Sequence, residues 1–441
     1  MAGKGNRAGQ ALAGALLSLF GTAGCDGADD PALSGESARA GELPVAKKDG
    51  PKLGAVAHVT SVFDRPAPDA RAIGHLLAGG VVARSEEKAT GAGCEPGWYA
   101  LYPRGFACAT HATVDLEHPT LKAMSLKPKL SEDLPYTYAR ARDNTALYER
   151  GDDEKNSIRE IGKLRRGSVL AVVGSWNATD EEGKEQRLGL TTAGQFVRAA
   201  DLKAAEPSEF AGAQLGEEQA LPIAFVVKRG VSSFKVEDQD AEKLKDLAYH
   251  DMLPLSGRYR EIGKARFWDA GEGRYVRHQD VTVIRRRHVY PDFAAENQKW
   301  IDISVVTGTL VAYEGHRALF ATLVSVGRDR LGDPKTTAST ALGTFDVVAK
   351  AITGVEIDPR SHSHYYDVYD SPWVLELSSG QRLMAGLFHD RFGIEHTDGS
   401  VHLSPKDAHW LWSWATPELP EAWHGVSAAK DEPRTIALIR K

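Results

Sequence analysis

The chain has 441 residues, with 54 Lys and Arg against 60 Asp and Glu, giving a formal net charge of −6. At about 100–200 residues per domain, this length allows two to four domains with buried cores. Hydrophobic content of 42% and charged content of 26% exclude wholesale disorder and collagen-like repetition, and an acidic chain has no global field to gather nucleic acid.

Residues 1–25 read as a targeting segment rather than as fold. Lys4 and Arg7 give a positive start, Ala11–Phe20 is an apolar run, and small residues lead into Cys25. The run is too short for a spanning helix, which needs about 20 apolar residues. Thr22-Ala23-Gly24-Cys25 resembles a bacterial lipoprotein box. That resemblance implies lipidation of Cys25 and a membrane-anchored protein of the cell envelope, facing the periplasm or cell exterior. An ordinary signal peptide with an incidental cysteine is the alternative. Residues 26–53, rich in Gly, Ala, Asp, Ser and Lys, then read as a flexible tether.

From Val56 onward, short alternating apolar segments separated by turn residues predict a mainly β chain. Gln195-Phe196-Val197-Arg198-Ala199-Ala200-Asp201-Leu202 is echoed by Arg274-Tyr275-Val276-Arg277-His278-Gln279-Asp280-Val281, and more weakly by Gly105-Phe106-Ala107-Cys108. Each copy closes a unit, which divides this region into 54–120, 138–205 and 220–288. Cys94 and Cys108 lie 14 residues apart in the first. In an oxidising compartment they would close a disulfide loop contributing about 3 kcal/mol; two separate thiols are the alternative. The three units resemble bacterial Src-homology-3-like small β-barrels, which implies either wall-peptide binding or a spacer role. Arg285-Arg286-Arg287, the densest basic run, reads as a solvated strand edge.

A different text starts near Lys299. Trp300-Ile301-Asp302-Ile303-Ser304 alternates as a strand, Thr309–Gly315 makes a second running into a turn, and Ala318–Gly327 a third. Six of the nine tryptophans lie at or after Trp300, enough for an aromatic core or a sugar-stacking groove. Ser404-Pro405-Lys406-Asp407 is a capping box, and Ala408, Leu411, Trp412 and Ala415 then share one helical face. Residues 427–441 are left as a tail.

Residues 297–426 resemble the catalytic domain of the L,D-transpeptidases, envelope enzymes that cross-link peptidoglycan stems through a cysteine nucleophile. The resemblance rests on Trp300-Ile301-Asp302, Leu310–Gly315, Leu323-Val324-Ser325-Val326-Gly327, Leu342-Gly343-Thr344-Phe345, His389-Asp390-Arg391-Phe392-Gly393 and the run Val401–Gly425. It implies a peptidoglycan-directed domain, with Gly399, Trp373 and Trp410 as candidate substrate contacts. The reacting region departs from the family. Where the family writes Ser-His-Gly-Cys, this chain has Thr397-Asp398-Gly399-Ser400, followed by Val401-His402. Met384-Ala385 stand where a first His-Gly belongs, and Thr340-Ala341 replaces Thr-Pro.

Thiols ionise near pH 8.5 and respond to a neighbouring histidine, whereas a serine hydroxyl needs a positioned base, worth about 10²–10⁴ in rate. The expectation is a domain acting on or binding stem peptides, impaired or inactive because Ser400 replaces the catalytic cysteine. The alternative is serine-based acyl transfer, with Ser400 as nucleophile, His389 or His402 as base and Asp398 orienting it. No motif points to a cofactor. His362 and His364, between Asp358 and Asp367, read as an exposed loop rather than a metal site. Asp152-Asp153-Glu154 and Asp180-Glu181-Glu182 read as solvated loop tips. The expected partners are peptidoglycan or envelope proteins, and the membrane through the N-terminal lipid.

Overall fold

Three times the chain passes a glycine, makes a three-residue strand, takes one 3₁₀ turn and resumes as strand. The strands are Phe106–Cys108, Phe196–Arg198 and Tyr275–Arg277, the turns Ala109–His111, Ala199–Asp201 and His278–Asp280. The preceding Gly105, Gly194 and Gly273 have φ of 87°, 74° and 73°, a region in which glycine alone carries no steric cost. Ala107, Val197 and Val276, at the centre of each strand, are fully buried. The sequence echo is therefore a repeated backbone path. The computed structural model describes residues 43–441 except 125, 152–156, 180–184, 296 and 359–364. The proposed signal, Cys25 and most of the proposed tether lie outside the described residues, as do His362, His364 and the two acidic tips almost entirely.

Each repeat closes a small curled antiparallel sheet. In the first, Lys52–Ala55 pairs with both Val81–Ala89 and Ala112–Thr113, while Val59–Phe63 pairs with Ala72–Leu77. Cys94 and Cys108 are joined as a disulfide there. In the second, Thr137–Ala141 lies between Val169–Thr179 and Leu202–Ala204. In the third, Ile223–Val226 lies between Met252–Pro254 and Val281–Ile284, beside a five-stranded sheet.

The C-terminal part is a mixed β domain. Lys299–Ser304, Thr309–Glu314 and Arg317–Leu323 form a meander. A long hairpin, Gly343–Asp358 with Tyr365–Leu377, leads to Arg382–Ala385, which runs parallel to Val401–Leu403. The tail is not loose: Ile436–Arg440 lies between Lys299–Ser304 and Gly343–Asp346 in the sheet. Its alternation accounts for this, since Ala437 and Ile439 are 0% and 1% exposed.

The helix Pro405–Trp414 forms where the capping box predicts. The Ser404 side chain accepts from the Asp407 amide at 3.2 Å, and Ala408, Leu411, Trp412 and Ala415 are buried. At its far end the Lys350 ammonium donates to the carbonyls of Trp412 and Ala415, both at 3.1 Å, satisfying groups the helix leaves open. Burial lowers that lysine to about 8. Among the described residues no helix is long and apolar enough to cross a membrane.

The small units are not beads on a string. The first extends its sheet into the C-terminal domain through His75 opposite Gly425, and the second does so through Lys163 opposite Tyr365. Their cores are shared as well. Trp423 and Val426 complete the first, Tyr138 and Phe196 pack in the same cluster as Trp373 and Leu411, and Phe225 packs in the same cluster as Trp300 and Phe392. Units of about 70 residues bury a small fraction of their surface alone, and a shared core offsets that deficit.

Candidate functional site

Val401–Leu403 carries the site. Its outer residues Val401 and Leu403 are buried at 0% and 1%, so strand alternation turns His402 to the opposite face, the face on which Ser400 would continue. The strand is fixed on both sides. Met384 pairs with His402 in parallel register, and Ser325 exchanges backbone hydrogen bonds with His402 at 2.8 and 2.9 Å.

Ser400 follows a tight turn. Gly399 has φ of 111°, which favours glycine, and its carbonyl accepts from the Thr340 hydroxyl and the Gln381 amide, both at 3.0 Å. The Thr397 hydroxyl donates to the Ser400 carbonyl, and Thr340 also accepts from the Gly327 amide at 2.9 Å. Thr340, half of the pair matched at the sequence level, therefore ties two conserved-looking motifs of this chain to the turn. Gln381 has no sequence signal; it reaches Gly399 from across the sheet.

The structure brings His389 and His402 together. Nε2 of the first lies 3.2 Å from Nδ1 of the second, with the rings stacked at 5.4 Å between centroids. Gly386 allows this approach, because a Cβ there would collide with the His389 ring. His396 adds a third ring 4.6 Å from His389. Burial, then repulsion from His402 and His396, lowers His389 to about 3; burial, then His396, lowers His402 to about 4. Both imidazoles are neutral at pH 7, and both are weak bases.

Asp398 faces elsewhere. Its exposed carboxylate pairs with the Arg328 guanidinium. Arg328 directly follows the Leu323–Gly327 motif, 70 positions before its partner, and nothing local announces the contact. Trp373 requires a correction as a substrate contact. It is 1% exposed, stacks on His409 at 4.5 Å, packs beside Trp412 at 4.9 Å and donates its indole N–H to the Asp133 carbonyl. A side chain so enclosed presents no face to a ligand. Trp410 is half-buried, sandwiched between Phe320 at 4.3 Å and Trp414 at 5.7 Å.

Among the described residues no group of three or more His, Cys, Asp and Glu side chains is placed to hold a metal ion. What the site offers chemically is one hydroxyl on a rigid turn, a neutral histidine pair on the adjoining strand, and a carboxylate engaged by arginine.

Comparison with known families matches residues 298–422 to the L,D-transpeptidase catalytic domain. No curated protein matches the chain. Similar solved structures include an L,D-transpeptidase from Xylanimonas cellulosilytica, 18% identical, with 35% of this chain aligned to 64% of that one and a TM-score of 0.24. A mutant of the Enterococcus faecium L,D-transpeptidase is 12% identical, aligning 33% of this chain with 50% of that one at a TM-score of 0.24. An L,D-transpeptidase from Mycobacterium smegmatis is 15% identical over 54% of this chain and 98% of that one, with a TM-score of 0.25. The chain thus spans less than two thirds of the first two structures.

Proposed function

We propose that this is a cell-envelope protein whose C-terminal domain binds peptidoglycan stem peptides without performing the family's cysteine chemistry. The export signal and lipidated Cys25 would hold it at the membrane, with the small β units fixed against the binding domain. The observation that carries the reading is the Asp398–Arg328 pair. It occupies the carboxylate that a serine triad would need behind its base, and it leaves no orienting acid on the histidines.

The histidine pair supports the same reading. A general base works best with a pKa near the operating pH, and values of about 3 and about 4 leave little driving force for taking a hydroxyl proton. Serine itself lacks the thiolate fraction that lets a cysteine react at neutral pH. The turn is nevertheless rigid, held by Thr340, Gln381 and Thr397. Such a turn suits presentation of a fixed surface to a peptide.

The second reading, acyl transfer through Ser400, is favoured by one fact: His402 follows two positions later on an extended strand, with a second imidazole 3.2 Å behind it. A pull-down on purified sacculi tests the first reading. Retention that survives Ser400→Ala supports binding, and failure to sediment with sacculi removes it.

A further inference from the structure

The Arg285-Arg286-Arg287 run does not lie on an isolated strand edge. It follows the strand Val281–Ile284 into a groove of about 460 Å³ between the third small unit and the meander of the C-terminal domain. Arg440, from the C-terminal strand, enters the same groove from the far side. Four guanidiniums therefore line it together with a single carboxylate, Asp302, so 4 − 1 leaves three uncompensated positive charges. This occurs in a chain whose net charge is −6.

The arrangement has a floor and a rim. Asp302, 5% exposed, receives Arg287 at 2.6 Å and Arg440 at 2.7 and 3.2 Å, which pins both guanidiniums in place. Two cations on one buried anion leave the floor positive. At the rim, Arg285 and Arg286 are exposed, and among the described residues neither has a carboxylate within ion-pair distance. Arg285 lies over the Trp268 ring, 5.1 Å from its centroid, which limits its freedom before any ligand arrives. The Thr307 hydroxyl, hydrogen-bonded to Thr309 at 2.8 Å, adds a neutral donor or acceptor beside them.

We propose that this groove is a second binding site, separate from the Ser400 turn, for a linear phosphate-bearing polyanion. Guanidinium forks match phosphate oxygens in pairs, and several charges on one ligand answer three unpaired arginine charges better than one carboxylate does. The pinned pair supplies the fixed field, and Arg285 and Arg286 make the direct contacts.

Calorimetric titration of the full chain at low salt tests this with three probes: tripolyphosphate, inorganic phosphate and hexaglutamate. Tripolyphosphate is expected to bind at least about ten-fold more tightly than either of the others, and to weaken steadily as salt rises from about 0.05 to about 0.5 M. Arg285→Ala combined with Arg286→Ala is expected to weaken it by about ten-fold or more, the loss of one charged hydrogen bond at the least. Ser400→Ala is expected to leave it unchanged. No binding of tripolyphosphate, equal binding of hexaglutamate, or full affinity in the double variant would each overturn the proposal.

Discussion

The ring nitrogens His389 Nε2 and His402 Nδ1 lie 3.2 Å apart, so each imidazole is the other's hydrogen-bond partner. Neither carries a positive charge at neutral pH, and no carboxylate orients either of them. That relationship governs what any nucleophile at position 400 would experience.

A thiol placed there reports on it directly. A cysteine is activated by a nearby cation or a histidine that takes its proton, and a neutral, weakly basic pair provides neither. Ser400→Cys is expected to titrate at or above the ordinary thiol value of about 8.5. The pH dependence of its alkylation by iodoacetamide measures this, and a midpoint below about 7 would show an activating site.

Acid should destabilise the fold. His389, His402, His75 and His424 have folded-state values of about 3, 4, 4 and 4 against 6.5 unfolded, all lowered chiefly by burial. Each contributes stability that is fully present above pH 6.5 and is lost as pH falls toward the folded value. Asp370 and Asp407, raised by burial to about 7 and about 6 from 3.8, act in the opposite direction over much of the same window. Four protons taken up by the unfolded chain against two by the folded one leave a net 4 − 2 = 2. The unfolding free energy should then fall by up to about 3 kcal/mol per pH unit between pH 6 and pH 4.5. Urea denaturation at several pH values checks the slope; a flat or rising profile on acidification would contradict the assignment of buried neutral histidines.

Trp373 is a core residue in an unusual backbone setting, with φ of 59°. Trp373→Ala removes a buried indole, its stacking on His409 and its hydrogen bond to Asp133. The expected cost is about 3–5 kcal/mol, read as a lowered denaturation midpoint. A variant with unchanged stability and selectively lost sacculus binding would return Trp373 to the ligand surface.

Much of the fold was legible because it is local. The aromatic-Val-Arg echo of 196–198 and 275–277 records one strand followed by one 3₁₀ turn, and the Ser404–Asp407 box records a cap. Ser400, His389 and His402 could be singled out because they fall at or beside recognisable motifs. Contacts between distant segments were not legible. Arg328 on Asp398, Gln381 on Gly399, and Arg440 on Asp302 join residues whose neighbours in sequence give no sign of the partner. Trp373 misled for a related reason: an aromatic side chain looks alike in a core and in a groove until its burial is known. Segment 427–441 was short and followed a turn-rich stretch, yet Ile436–Arg440 completes the sheet because two strands far upstream leave a space for it.

The central claim is that the Ser400 site binds stem peptides and does not transform them. Incubation of the purified protein with tetrapeptide muropeptides, followed by mass spectrometry and with Ser400→Ala in parallel, tests it most directly. The account predicts no cross-linked or trimmed product from either protein. A product that forms with the wild type and disappears in Ser400→Ala would contradict it and establish serine-based acyl transfer.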